Sequence, residues 1–157
     1  RPPQPSSTSL DALYGAALRY VLDAGNQHEG MIFGRLAAAL GYKRCVEIGV
    51  FGATWSEFFL AFATSVDKRL EKLATSEVQE YTLVDIWLRQ EGTELGDGGL
   101  DSNLYLARRM HEAVKKLERF WPRVRFVQQR SAVAARLFEE ASLDFVFVDA
   151  GHDECSV

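Results

Sequence analysis

The segment Val46-Glu47-Ile48-Gly49-Val50-Phe51-Gly52-Ala53 restricts what this chain can fold into more than any other. A short apolar run carrying Glu47 turns on Gly49 and Gly52 and then enters an apolar helical pattern. Strand, glycine turn and helix, in that order, form the unit by which open α/β sheets bring backbone against a nucleotide-like ligand. Glycine is needed there because a Cβ would collide with the ligand or forbid the dihedrals of the turn. The segment therefore predicts a small molecule bound at the carboxyl ends of the strands.

The rest of the chain continues the alternation. Apolar runs at 43–48, Tyr81–Ile86, Val124–Val127 and Leu143–Val148 read as strands, and stretches at 53–73, 103–120 and 131–141 read as the helices between them. Strands alternating with helices predict an α/β fold with a parallel sheet and right-handed crossovers. Two further helices precede it. One runs from Leu10, capped by Ser9 and stopped by Gly25, and the other spans Glu29–Leu40 and ends at Gly41. Residues 1–9, with Pro2, Pro3 and Pro5, read as an extended arm or linker. Residues 10–157 read as one domain, with N-terminal helices over 10–41 and a ligand-binding half over 42–157. The loop at 88–101 is long against the about 2–6 residues usual for such connections, and reads as a lid or binding element or as simply mobile.

Composition narrows the partners. Hydrophobic residues make up 47% of the 157, ample for a packed core. The formal charge is −4 and Lys and Arg are dispersed among acids, which argues against a nucleic-acid footprint. No apolar run reaches the roughly 18–20 residues of a membrane span. Cys45 and Cys155 are too few for a disulfide framework, and Cys45 lies in a strand pattern as a buried thiol. The expectation is a soluble chain of the cytoplasm or of an organelle's stroma or matrix. The sequence starts at Arg1 rather than methionine, so an upstream segment removed or left out keeps the compartment open.

Residues at the strand ends carry the chemistry. Asp85 closes the second strand 36 positions after Gly49. The interval in dinucleotide folds is about 20, so the intervening helix is longer or carries an extension. The Asp85 carboxylate suits the two hydroxyls of a ribose, or else a helix cap or strand-end turn. Ser131 opens the helix after the third strand, as an N-cap and as a contact to an adenine edge. Asp149 ends the fourth strand and His152 follows it. An acid and a histidine there suit substrate orientation, proton transfer or metal ligation, and equally a hydrogen-bonded loop. Asp149, His152 and Asp153 are ligand types for a divalent ion, but such trios are common without one, and no metal site is expected.

Four segments in order carry a family resemblance: Val46-Glu47-Ile48-Gly49-Val50-Phe51, Thr82-Leu83-Val84-Asp85-Ile86-Trp87, Arg123-Val124-Arg125-Phe126 and Leu143 through His152. Together they resemble class I S-adenosylmethionine-dependent methyltransferases, and within them the small-molecule branch whose fourth strand ends in Asp-x-x-His. The resemblance runs from about residue 28 to the last residue. It implies a Rossmann-like, doubly wound, mostly parallel sheet of order 3-2-1-4. It also implies S-adenosylmethionine as cofactor and methyl transfer to a small-molecule acceptor. By the same resemblance Glu47 and the Gly49–Gly52 backbone, with Phe51 in it, flank the methionine part of the cofactor. Asp85 binds the ribose, Trp87 or its neighbour borders the adenine, and Ser131 approaches the adenine amine. Asp149 lies near the sulfonium and His152 faces the acceptor, which makes them the catalytic candidates.

Two departures from the family pattern stand out. The family's second glycine falls at Ala53, with Gly52 one place early. The family's sheet has seven strands, whereas this sequence ends at Val157, directly after the fourth. The strand at 143–149 is therefore expected to be an apolar edge, covered by a protein partner or a second copy. This gives the alternative reading, a catalytically inactive methyltransferase-like structural or interaction subunit. A nicotinamide-dependent oxidoreductase suits the chain less well, because Val50-Phe51-Gly52-Ala53 lacks the full Gly-x-Gly-x-x-Gly pattern.

Overall fold

The structure, a computed structural model, describes residues 28–64, 77–88 and 103–150. The helix expected from Leu10, positions 65–73, most of the 88–101 loop and His152 lie outside the described residues. In chain order the elements are α1 (Glu29–Leu40), β1 (Arg44–Ile48), α2 (Thr54–Ala63), β2 (Glu80–Asp85), α3 (Asn103–Leu117), β3 (Val124–Gln128), α4 (Ser131–Ala134) and β4 (Phe145–Val148). Short 3₁₀ turns follow α3 at Glu118–Phe120 and α4 at Ala135–Leu137. Among the described residues, no helix is long and apolar enough to cross a membrane.

The four strands form one sheet in the order β3-β2-β1-β4, with every pair parallel. This is the Rossmann-like order expected from the sequence. Strand side chains alternate between faces, so each strand feeds two cores. Cys45, Tyr81 and Leu83 pack with Ala37 of α1, Phe59 and Leu60 of α2 and Leu117 of α3. Val46, Val84 and Val127 serve the other face, where they meet Ala134 of α4, Phe138 and Leu143. Full burial of a side chain such as Leu60 or Leu83 is worth about 1.5–3 kcal/mol. On β4, Phe145 and Phe147 join the aromatic cluster of Phe33 and Trp55, with Trp55 and Phe147 stacked at 3.9 Å. Val146 and Val148, pointing the other way, are each 47% exposed.

The helix ends follow local chemistry. His28 caps α1 by accepting the Gly30 amide at its ring nitrogen, and Gly41 closes it in the left-handed conformation at φ 72°. The helix expected over 53–73 is described as Thr54–Ala63, with the Thr64 hydroxyl donating to the Leu60 carbonyl at 2.6 Å, and positions 65–73 lie outside the described residues. The helix expected over 131–141 is shorter. Phe138 leaves helical geometry (φ −109°, ψ 135°), and its ring packs with Val46, Val84 and Val127. Burying that ring outweighs the helical tendency of Glu139, Glu140 and Ala141.

Gly30 and Gly34 lie on one face of α1 and let its backbone approach α2 closely. A Cβ at Gly30 would stand 2.6 Å from the Trp55 carbonyl oxygen, and one at Gly34 would run into the Phe59 carbonyl. An exposed helix gains up to about 1 kcal/mol from Gly→Ala, whereas overpacking costs about 1–3 kcal/mol. Gly34→Ala is therefore expected to lower stability by about 1–2 kcal/mol in urea unfolding with an unchanged slope. A gain in stability would refute the close α1–α2 contact.

Candidate functional site

The β1–α2 turn is built from residues in an uncommon backbone conformation. Gly49 has φ 88°, Phe51 51° and Ala53 56°, and across the sheet end Trp87 has 42°. The Gly49 amide bonds to the Val84 carbonyl at 2.9 Å, and the Ala53 amide to the Val50 carbonyl at 2.8 Å. Gly49 is required for a reason the sequence did not show: a Cβ there would collide with the Asp149 carbonyl. Its missing side chain lets the end of β4 close onto the end of β1, where the Asp149 amide bonds to the Ile48 carbonyl at 2.7 Å. Gly52 is different. A Cβ there would stand 3.8 Å from Arg109 Cδ and Glu112 Oε2 of α3, an ordinary contact. Ala53, one place on, is fully buried and holds the left-handed conformation that glycine adopts freely.

Asp85 stands at the end of β2, as expected, and its carboxylate is engaged. Oδ2 accepts the amides of Val50 and Phe51, each at 2.8 Å, and Oδ1 accepts the amide of Trp87 at 2.8 Å. Trp87 does not line an open rim. It is 1% exposed, belongs to the core against Phe126, and donates its indole N–H to the Phe51 carbonyl at 2.8 Å. Its neighbour Leu88 is 46% exposed. Phe51 is half-exposed, with Arg109 and Tyr105 of α3 beside its ring.

Glu47 lies beneath the turn at 1% exposure. The Ser56 hydroxyl of α2 and the Tyr81 hydroxyl of β2 both donate to its Oε2 at 2.6 Å. This carboxyl is raised from its ordinary 4.5 to about 7, because burial, aided by repulsion from Asp149 and Asp85, outweighs the two hydrogen bonds that pull it down. Burial and the charge of Glu47 also hold the Tyr81 hydroxyl well above its ordinary range. The Cys45 thiol is raised to about 12 by burial and by Asp144, which leaves it unreactive. Sequence reasoning missed Ser56 and Tyr81, since no local pattern links either of them to Glu47. The Gly30–Gly34 spacing within a helix was a legible signal for the α1–α2 contact.

Glu47, Asp85 and Asp149 thus come together at the carboxyl ends of the adjacent strands β1, β2 and β4. Ser131 is the first residue of α4 rather than its cap, a position held by Arg130, and it follows the end of β3 by three residues. Lys116 of α3 reaches the turn, but its ammonium is taken up by the Gly52 carbonyl at 3.0 Å and the Thr54 hydroxyl at 2.8 Å. Three carboxylates around one turn, two of them disfavouring the charge of the third, suit a positively charged ligand. A phosphate would add like charge.

No family model matches the chain, and no curated protein matches it. Among solved structures it is similar to the O-methyltransferase from Bacillus cereus in complex with SAH, at 15% identity and a TM-score of 0.47, over 92% of this chain and 55% of that one. It is also similar to cofactor-bound Rv0187 from MTB, at 17% identity and a TM-score of 0.48, over 94% of this chain and 62% of that one. The chain spans less than two thirds of the length of either.

The Glu47 geometry sets a pH dependence of stability. Its folded-state pKa lies above the unfolded one, so the stabilisation is fully present below about pH 4.5 and is lost as pH rises through about 7. Stability of the wild type is expected to fall across pH 5–7 by up to about 1.4 kcal/mol per pH unit. Glu47→Gln keeps an acceptor for Ser56 and Tyr81 without the charge. It is expected to flatten this profile and to be the more stable protein above pH 7, as measured by urea unfolding across pH. A wild-type profile already flat in that window would contradict the burial argument.

Proposed function

We propose that this chain is the cofactor-binding part of an S-adenosylmethionine-dependent methyltransferase acting on a small-molecule acceptor. One observation carries the reading: Glu47, Asp85 and Asp149 converge on a left-handed glycine turn at the carboxyl end of a parallel sheet. Bound there, S-adenosylmethionine supplies an electrophilic methyl group on a sulfonium. The protein's part is positioning and charge. Asp149, exposed at the end of β4, faces the sulfonium in this reading, and Glu47 supplies negative charge from beneath the turn. Among the described residues Asp85 Oδ1 accepts one amide, that of Trp87, and a carboxylate oxygen has two lone-pair directions, so the second suits a ribose hydroxyl in this reading. Leu88, rather than the buried Trp87, offers apolar surface to an adenine. His152, three positions after Asp149 in the sequence, is proposed to serve the acceptor, and either group can take a hydroxyl proton.

A second reading is favoured by Val146 and Val148, half-exposed on the edge strand β4. In it the chain is a methyltransferase-like interaction subunit whose β4 face meets another protein or a second copy. Sedimentation of a clean monomer would count against it.

Calorimetry with S-adenosylhomocysteine tests the cofactor reading, and the absence of heat at millimolar ligand would sink it. Asp149→Asn is expected to weaken S-adenosylmethionine by about two- to fivefold, the scale of an exposed charge pair. S-adenosylhomocysteine, which lacks the sulfonium charge, should lose less. Equal losses for the two ligands would remove Asp149 from the sulfonium.

A further inference from the structure

We propose that Asp85 and Trp87 are positioning residues that clamp the β1–α2 turn in its strained, ligand-ready conformation. What occupies the turn rests on the cofactor reading above; the clamp does not. Phe51 and Ala53 hold positive φ angles of 51° and 56°, which side chains disfavour and which persist only where the surroundings over-determine them. Residues at the end of β2 supply that constraint. Phe51 is gripped at both its backbone groups: its amide goes to Asp85 Oδ2, and its carbonyl receives the Trp87 indole N–H, each at 2.8 Å. Val50 is held by the same Asp85 oxygen at 2.8 Å.

The anchor is itself fixed. The Trp87 ring lies in the core beside Phe126, centroids 6.0 Å apart, so the position of its N–H is set by packing. Trp87 also has a positive φ of 42°, and its amide bonds to Asp85 Oδ1. Two strained turns from different strands are thus tied to one carboxylate and to each other. At 1% exposure Trp87 is closed to a ligand and acts on one only through Phe51. Asp85 has two tasks: it holds the turn with Oδ2 and keeps part of Oδ1 for the ligand.

Amide hydrogen exchange on the ligand-free protein tests the clamp with two variants. Trp87→Phe keeps an aromatic core side chain and removes the indole N–H. Asp85→Asn keeps the shape and sets an amide against the backbone donors. In both, the Ala53 amide is expected to exchange about tenfold faster or more, while Val46 and Leu83 stay protected. The Ala53 amide bonds to the Val50 carbonyl and not to Asp85, so its acceleration reports the turn rather than one lost bond. Wild-type protection of Ala53 in Trp87→Phe would overturn the proposal.

Calorimetry then compares S-adenosylhomocysteine with its 2′,3′-dideoxy analogue. Trp87→Phe should weaken both by the same factor, about fivefold, and Asp85→Asn should weaken the dideoxy analogue as well. A loss in Asp85→Asn confined to the intact ribose would make Asp85 a ribose ligand alone and overturn its positioning role. If the wild type binds neither ligand, the cofactor reading fails, and hydrogen exchange still decides the clamp.

Discussion

The missing side chain of Gly49 lets the carbonyl of Asp149 lie directly against the backbone of the β1 turn. Everything at the site's end of the sheet depends on that approach. It keeps β4 parallel to β1 up to the Ile48–Asp149 bond, and it seats Phe147 against Trp55. It also brings the charge of Asp149 within reach of Glu47. A β-carbon at this position would force the two strand ends apart and open the aromatic cluster below them. Glycine after a strand is commonly explained by room for a ligand; here the first claim on the space is another strand.

The same closeness accounts for the cost of Glu47. A carboxyl at 1% exposure is expensive to ionise, and the two donors on its Oε2 offset only part of that expense. Near neutral pH the group divides between its charged and uncharged forms. Above pH 7, for stability alone, an uncharged amide that still accepts from Ser56 and Tyr81 would do better beneath the turn. An acid held at this balance responds to any charge that arrives above it. A cation at the rim favours the ionised form and an anion the protonated one, so the group has electrostatic leverage that a permanently charged surface acid lacks.

How much of this was legible in the sequence depended on the range of the interactions. The strands announced themselves as apolar runs, and Glu29–Leu40 with its Gly41 stop was readable because helix caps are local. Asp85 at the end of β2 and Asp149 at the end of β4 were readable by position for the same reason. The end of α4 was not, because Phe138 abandons the helix for a partner surface made by β1, β2 and β3. Position offered Asp85 as a ribose ligand but said nothing of the turn amides its carboxylate also accepts, because Val50 and Phe51 lie 35 and 34 residues away. Trp87, expected by resemblance to border an adenine, has its ring held in the core by tertiary packing that its position after a strand does not reveal.

The bonding of the turn also separates ligand classes that the motif alone could not. A pyrophosphate bound at the start of a helix needs backbone amides free to point at it and a field that favours anions. Here the Val50 and Phe51 amides are already given to a carboxylate. The Ala53 cap offers no side-chain donor, and the nearby ammonium of Lys116 is held by the Gly52 carbonyl and the Thr54 hydroxyl. An anion would have to displace Asp85 while standing close to Glu47 and Asp149. A cationic or neutral group meets neither obstacle: it finds an acidic rim and leaves the turn's own hydrogen bonds in place. The chemistry of this turn therefore favours a charged sulfonium or amine over the phosphates of a dinucleotide, even though the strand–turn–helix outline serves both.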